Sequence, residues 1–167
     1  NRPDKILVQA GVEITWTSDA RLTLLAENDI VISGTIQHDG PENGDGGLTL
    51  RAISGTVTIG SGAQTSGVAA GSRRGLTRVS AVDLVLQGGS SGTTPFAMLG
   101  YRAVDQGETF TVTGPISVTV SGQITASAGI TDFAFVQVGH GGADPSGSSD
   151  VDGNFVGPVA MVAGGNV

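Results

Sequence analysis

"ITWTSDARLTLLAENDIVISGTI", residues 14–36, is the stretch on which the fold turns. It holds three short apolar phrases separated by polar turns of a few residues, and none of it has helical spacing. Such a pattern builds either a set of antiparallel hairpins or successive walls of a coiled solenoid. The distinction lies in what repeats elsewhere. The phrase apolar-threonine-apolar occurs at Leu22-Thr23-Leu24, Leu48-Thr49-Leu50, Val57-Thr58-Ile59, Phe110-Thr111-Val112 and Val118-Thr119-Val120. Its period of two puts the flanking residues on one face and the β-branched threonine on the other, as in a half-buried strand.

Longer matches extend the pattern. At an offset of 88, Ile30, Ile32, Ser33, Gly34 and Ile36 align with Val118, Val120, Ser121, Gly122 and Ile124, and at an offset of 37 "TPFAMLG" (94–100) aligns with "TDFAFVQ" (131–137). Repetition of short strand units marks a solenoid or a propeller, and a propeller needs about 40–45 residues for each of at least four blades. Coils of roughly 20 residues would instead give about eight turns and a rod of about 40 Å. Ser-Gly at 33–34 and 121–122 are the expected corners. We therefore expect an all-β chain, a parallel β-helix with loop excursions, forming one segment over 1–167. An antiparallel β-sandwich is the alternative, but Asp39-Gly40 and Asn43-Gly44, the dipeptides suited to hairpins, fall together in one longer loop.

The composition agrees with many turns around a narrow core. The 167 residues include 28 glycines, with only 14% charged and 4% aromatic residues. The net charge is −7, of which the six acids after Arg102 supply −6 with no lysine or arginine among them. An acidic chain without a basic stripe excludes nucleic acid as a partner, because phosphate neutralisation supplies most of that affinity. No apolar run approaches the roughly 18 residues that span a bilayer, so membrane insertion is not expected either. There is no cysteine, which suits a chain stabilised by burial and backbone hydrogen bonds and exported unfolded. No signal peptide opens the chain and neither end carries a helix or a charged cap, so we expect a piece of a longer rod or a fibre subunit that joins its own copies.

Three segments break the strand rhythm: "QHDGPENGDGG" (37–47), "GSGAQTSGVAAGSRRGLTR" (60–78) and "GHGGADPSGSSDVDGN" (139–154). In repeat proteins such insertions gather on the binding face. They supply the candidate partner contacts His38, Asp39, Arg73, Arg74, Arg78 and His140. Asp144, Asp150, Asp152 and Asn154 cluster as oxygen donors for calcium, although neither the EF-hand nor the repeat-in-toxin spacing is met. No other cofactor is indicated.

"ITWTSDARLTLLAENDIVISGTI", "GGLTLRA" (46–52), "VQVGHGG" (136–142) and "VAMVAGGNV" (159–167) resemble the haemagglutinin-type repeats of filamentous haemagglutinin-like exoproteins, secreted by the two-partner route in Gram-negative bacteria. The resemblance implies a right-handed parallel β-helix, an extracellular or cell-surface location, and a role as filament or adhesin. It covers about two thirds of the chain in pieces. The Asn-Pro-Asn signature of the secretion domain is absent, so the resemblance is to shaft repeats and lends no catalytic residues.

Enzymes also use this kind of solenoid. A glycosidase needs two carboxylates about 5–9.5 Å apart, and Asp83 in "AVDLVL" is a lone acid that alternation turns outward. Trp16 shares a face with Ile14 and points inward, which leaves Tyr101 as the aromatic available to a sugar. The expected role is a structural or adhesive module without catalysis, meeting a host or neighbouring-cell glycan or protein. A self-assembling extracellular fibre subunit and a carbohydrate-active β-helix are the alternatives.

Overall fold

The structure is a computed structural model, and it describes residues 1–40, 46–64, 66–92, 95–103, 110–131, 134–141 and 153–165. Among these the chain winds through five coils of parallel strands. The first holds β1 (Lys5–Val8), β2 (Glu13–Trp16) and β3 (Leu22–Ala26), and the second β4 (Asp29–Ile32), β5 (Thr35–His38) and β6 (Leu48–Ala52). The third holds β7 (Thr56–Ile59), β8 (Val68–Ser72) and β9 (Thr77–Ala81). Four strands make the next coil: β10 (Asp83–Gln87), β11 (Ala97–Leu99), β12 (Phe110–Val112) and β13 (Ile116–Val120). The last has β14 (Ile124–Ser127), β15 (Val136–Val138), β16 (Gly153–Phe155) and β17 (Val159–Ala163).

Each strand pairs with its counterpart one coil away. Sheet A is β1-β4-β7-β10-β14, sheet B is β2-β5-β8-β11-β15, and sheet C is β3-β6-β9-β13-β17, while β12 and β16 form a small fourth sheet. Every strand pairing among the described residues is parallel, so the chain is a parallel β-helix rather than a sandwich.

Period-two alternation produces the core. In β4, β7 and β13 buried residues alternate with exposed or half-buried ones. Parallel register then sets inward residues on top of one another: Ile6, Ile30, Val57, Leu84 and Ile124 in sheet A, and Leu24, Leu50, Val79, Val118 and Met161 in sheet C. Sheet B contributes Ile14, Ile36, Ala70, Leu99 and Val138. Burying each aliphatic side chain stabilises the fold by about 1.5–3 kcal/mol.

The coil count differs from the sequence expectation. There are five coils, about 19 Å from first to last strand at about 4.8 Å per step. The register advances by 24 residues from Lys5 to Asp29, by 27 from Ile30 to Val57 and again to Leu84, and by 40 to Ile124. The offset-88 match aligned β4 of sheet A with β13 of sheet C. All inward strands share one alternation, so strands from different walls align in sequence without being neighbours. The offset of 37 falls two residues short of the observed Ala97–Val136 register, an even error that keeps every side chain on its proper face. Within 60–78, Val68–Ser72 is strand rather than excursion, and its residues are buried throughout.

The corners are unequal. Between sheets C and A the chain turns in one to three residues, as from Ala26 to Asp29 and from Ala81 to Asp83. There Asp29 Oδ1 accepts the Thr56 amide at 3.0 Å and Asp83 Oδ1 the Gln123 amide at 2.7 Å, each carboxylate holding the next coil. Ser33-Gly34 and Ser121-Gly122 are corners as expected, but because of close approach rather than positive φ. A Cβ on Gly34 would collide with the Val12 carbonyl, and one on Gly122 with the Asp83 carboxylate. Among the strands described, the long connections lie at the two edges of sheet B: 60–67, 88–96 and 128–135 on the side of sheet A, and 39–47, 100–115 and 139–158 on the side of sheet C, the last two carrying β12 and β16.

Leu84→Ala is expected to lower stability by about 2–5 kcal/mol in urea unfolding, whereas Thr58→Ala, on the outward face of β7, should change it by less than about 1 kcal/mol. Equal losses would contradict the inward ladder.

Candidate functional site

At the corner between sheets B and C, residues far apart in sequence meet. His38, Ser72 and Trp16 occupy equivalent inward positions of β5, β8 and β2. His38 and Ser72 are fully buried, and a buried polar group must be hydrogen-bonded. His38 Nε2 lies 3.1 Å from the Ser18 carbonyl, which can only accept, so this nitrogen carries the proton. His38 Nδ1 faces Ser72 Oγ at 3.2 Å. The Ser72 hydroxyl donates to the Gly46 carbonyl at 2.5 Å and accepts the Gly75 amide at 2.9 Å. The Ser72 amide in turn donates to Thr77 Oγ1 at 2.9 Å, satisfying a buried threonine. Glycines at 40 and 46 leave the space that the His38 ring fills. A serine beside a histidine resembles a nucleophile and its base, but this pair is sealed from solvent and its hydroxyl is committed to backbone; it is a corner staple.

Outside this staple lies a polar cluster. The Tyr101 hydroxyl donates to Asp39 Oδ1 at 2.8 Å, and Arg73 Nη1 approaches the same oxygen at 3.7 Å. Arg73 Nε also donates to the Thr111 carbonyl of β12 at 3.3 Å. Asp39, Arg73 and Tyr101 come from the second, third and fourth coils. Burial, and next the hydrogen bond to Asp39, raise the Tyr101 pKa well above the usual phenol range, with Arg73 opposing, so the hydroxyl is a neutral donor.

The fifth coil supports the cluster through His140. Its Nδ1 accepts the Tyr101 amide at 3.1 Å and its Nε2 donates to the Gly114 carbonyl at 2.6 Å. Both ring nitrogens are used by the neutral tautomer. Burial lowers the His140 pKa, and the Gly114 hydrogen bond only partly offsets this.

The structure thus brings His38, Asp39, Arg73 and His140 to one corner, with His38 inside and Asp39 exposed. Arg74 follows Arg73 in the turn and is half-buried, while Arg78 projects outward from β9 on sheet C, away from the cluster. Of the proposed calcium ligands, Asp144, Asp150 and Asp152 lie outside the described residues, and Asn154 pairs with Thr111 in the β12–β16 ladder. Asp83 faces outward and serves the sheet C to sheet A corner. Trp16 packs inward and donates from Nε1 to the Ala20 carbonyl at 2.8 Å.

Sequence reasoning missed Arg102 and the surface it crosses. On the outer face of sheet B, Ala69, Phe96 and Met98 form a second buried cluster with Phe135, whose ring stacks on Phe96 at 5.0 Å. The Arg102 guanidinium lies 5.0 Å over the Phe96 ring. The legible signal was the repeated strand ending, "FAMLG" followed by Tyr101-Arg102 and "FVQVG" followed by His140, at the true offset of 39. Compared with protein-family models, curated proteins and solved structures, the chain finds no match.

Protonating His140 on Nδ1 requires breaking the hydrogen bond it accepts from the Tyr101 amide N–H. Its native pKa lies below its unfolded value near 6.5, so the unfolded chain binds the extra proton first and stability falls as pH drops below about 6.5. The urea midpoint of the protein should fall on acidification from pH 7.5 to 5.5, and His140→Gln should make that fall smaller; an unchanged fall would remove His140 from the cause.

Proposed function

We propose that this chain is a structural and adhesive module of an extracellular or cell-surface filamentous exoprotein, and that the outer face of sheet B is where it meets its partner. The observation that carries this reading is the distribution of corners. The edges of sheet B hold the long excursions, and four successive coils place Asp39, Arg73, Tyr101 and His140 at one of them. The other corner has been kept to one to three residues. Elaboration confined to one wall is what a rod acquires when its core serves as support and one face serves recognition. The haemagglutinin-type resemblance and the cysteine-free composition support the same reading, as does the spending of His38 and Ser72 on backbone carbonyls. The expected test is adhesion: beads coated with the chain should be retained on glycan- or cell-coated surfaces, and Arg73→Ser or Asp39→Asn should reduce retention several-fold. Retention no better than that of albumin-coated beads would sink the adhesive role.

Fibre assembly is a second reading, favoured by the outer edge of the fifth coil. Val159, Met161 and Val162 are 44%, 44% and 62% exposed, and Ile124, Val136 and Met161 border an apolar hollow of about 280 Å³. Unpaired strand edges over an apolar face accept further coils. Light scattering should show mass rising with concentration, and Met161→Lys, a charge placed on the inward ladder, should hold the chain monomeric. A monomer at all concentrations would count against assembly from this face.

A further inference from the structure

A polar groove of about 300 Å³ lies between the sheet A to sheet B corner and Arg102. Gly34, Gly67, Glu13, Thr35, Gln37 and Arg102 are among the residues that line it. The glycines are required there. A Cβ on Gly34 would strike the Val12 carbonyl, and one on Gly67 would strike the Phe96 ring.

Arg102 is held in place more firmly than a surface arginine needs to be. Its guanidinium rests on Phe96, its carbonyl accepts from Gln37 Nε2 at 3.4 Å, and its backbone bridges to Gly141. Its Nε is buried, so the donors left to the groove are the two terminal amino groups, and among the described residues no carboxylate lies within ion-pair distance of the side chain. Burial lowers the Arg102 pKa, and Glu13 offsets this only through space. A fixed, half-buried guanidinium with no carboxylate beside it is suited to a planar carboxylate, which its terminal amino groups can engage with two parallel N–H bonds. The remaining groups are of a different kind: hydroxyls, an amide that both donates and accepts, and a carboxylate that accepts from hydroxyls. Glu13 disfavours a multiply charged phosphate chain, while a ligand with a single carboxylate among many hydroxyls satisfies both ends of the groove. The volume lies at the small end of ligand sites, roughly 300–1,000 Å³, the size of one or two sugar rings.

We propose that this groove binds an acidic saccharide of the uronate class, its carboxylate on Arg102 and its ring hydroxyls on Glu13, Thr35 and Gln37. The proposal rests on sheet B being the recognition face and names the ligand chemistry for it. The Phe96 platform fixes the guanidinium before binding, which removes an ordering cost.

The test is isothermal titration calorimetry of the whole chain with methyl galacturonide and with the neutral methyl galactoside. The uronide should bind with a Kd below about 1 mM, the neutral sugar at least tenfold more weakly, and affinity should fall with added salt. Arg102→Gln should weaken uronide binding about tenfold or more. Because that change also removes the Phe96 contact, its unfolding midpoint is compared with that of the parent, and Ser66→Trp, at an exposed groove residue away from Arg102, should block binding independently. Equal affinity for both sugars, no uronide binding at millimolar concentration, or full affinity in the Ser66→Trp chain would overturn the proposal. If bead adhesion persists while uronide binding is absent, the groove assignment fails and the module reading stands; uronide binding without bead adhesion upholds the groove and removes the adhesive role.

Discussion

Parallel in-register stacking is the constraint from which the rest of this molecule follows. Each strand meets its counterpart one coil later with residues of the same facing, so an inward position must be acceptable to the positions above and below it. Ile30, Val57 and Leu84 satisfy this by shape and apolarity, and Ala26 and Ala52 by small size at the entrance to the tight corner.

Where the ladder becomes polar, the structure compensates locally. Trp16, His38 and Ser72 share one inward column, and the last two are sealed from water. Leaving such groups unbonded would cost about 1–3 kcal/mol each. Carbonyls of Ser18 and Gly46, from the turns of the first and second coils, accept the protons of His38 Nε2 and of the Ser72 hydroxyl. Gly40 and Gly46 thus have a packing role, since any side chain at either position would displace the imidazole. The same economy appears in Asp29 and Asp83. A carboxylate in a strand pattern suggests chemistry, yet both use an oxygen to cap the backbone of the following coil.

Much of this architecture is legible in the sequence, and the limits are instructive. All five apolar-threonine-apolar phrases lie in strands, and the preference for a solenoid over a sandwich agrees with the parallel pairing. The coil length was not legible from the strongest match, because Ile30 and Val118 face inward from different walls and look alike. The shorter repeat "DIVI", "TVTI", "DLVL", at an even spacing of 27, carried the true register in sheet A. His38, Asp39, Arg73 and His140 were visible as residues in excursions, but not as one corner. Their meeting depends on coil lengths of 24, 27 and 40 residues, which vary with the very loops that alignment treats as noise.

The sequence by itself determined the facing of the alternating strands such as β4, β7 and β13, since a period of two decides which side chains leave water and which do not. It also determined the absence of disulfide bonds and the uneven charge. Only the tertiary structure decided which strands are neighbours, and therefore that Tyr101 reaches Asp39 across 62 residues and that Arg102 lies on Phe96 beside a polar groove. The physical reason is that alternation is a local property of the chain, set residue by residue, whereas register between coils is a global minimum in which every ladder and every corner hydrogen bond must be satisfied at once.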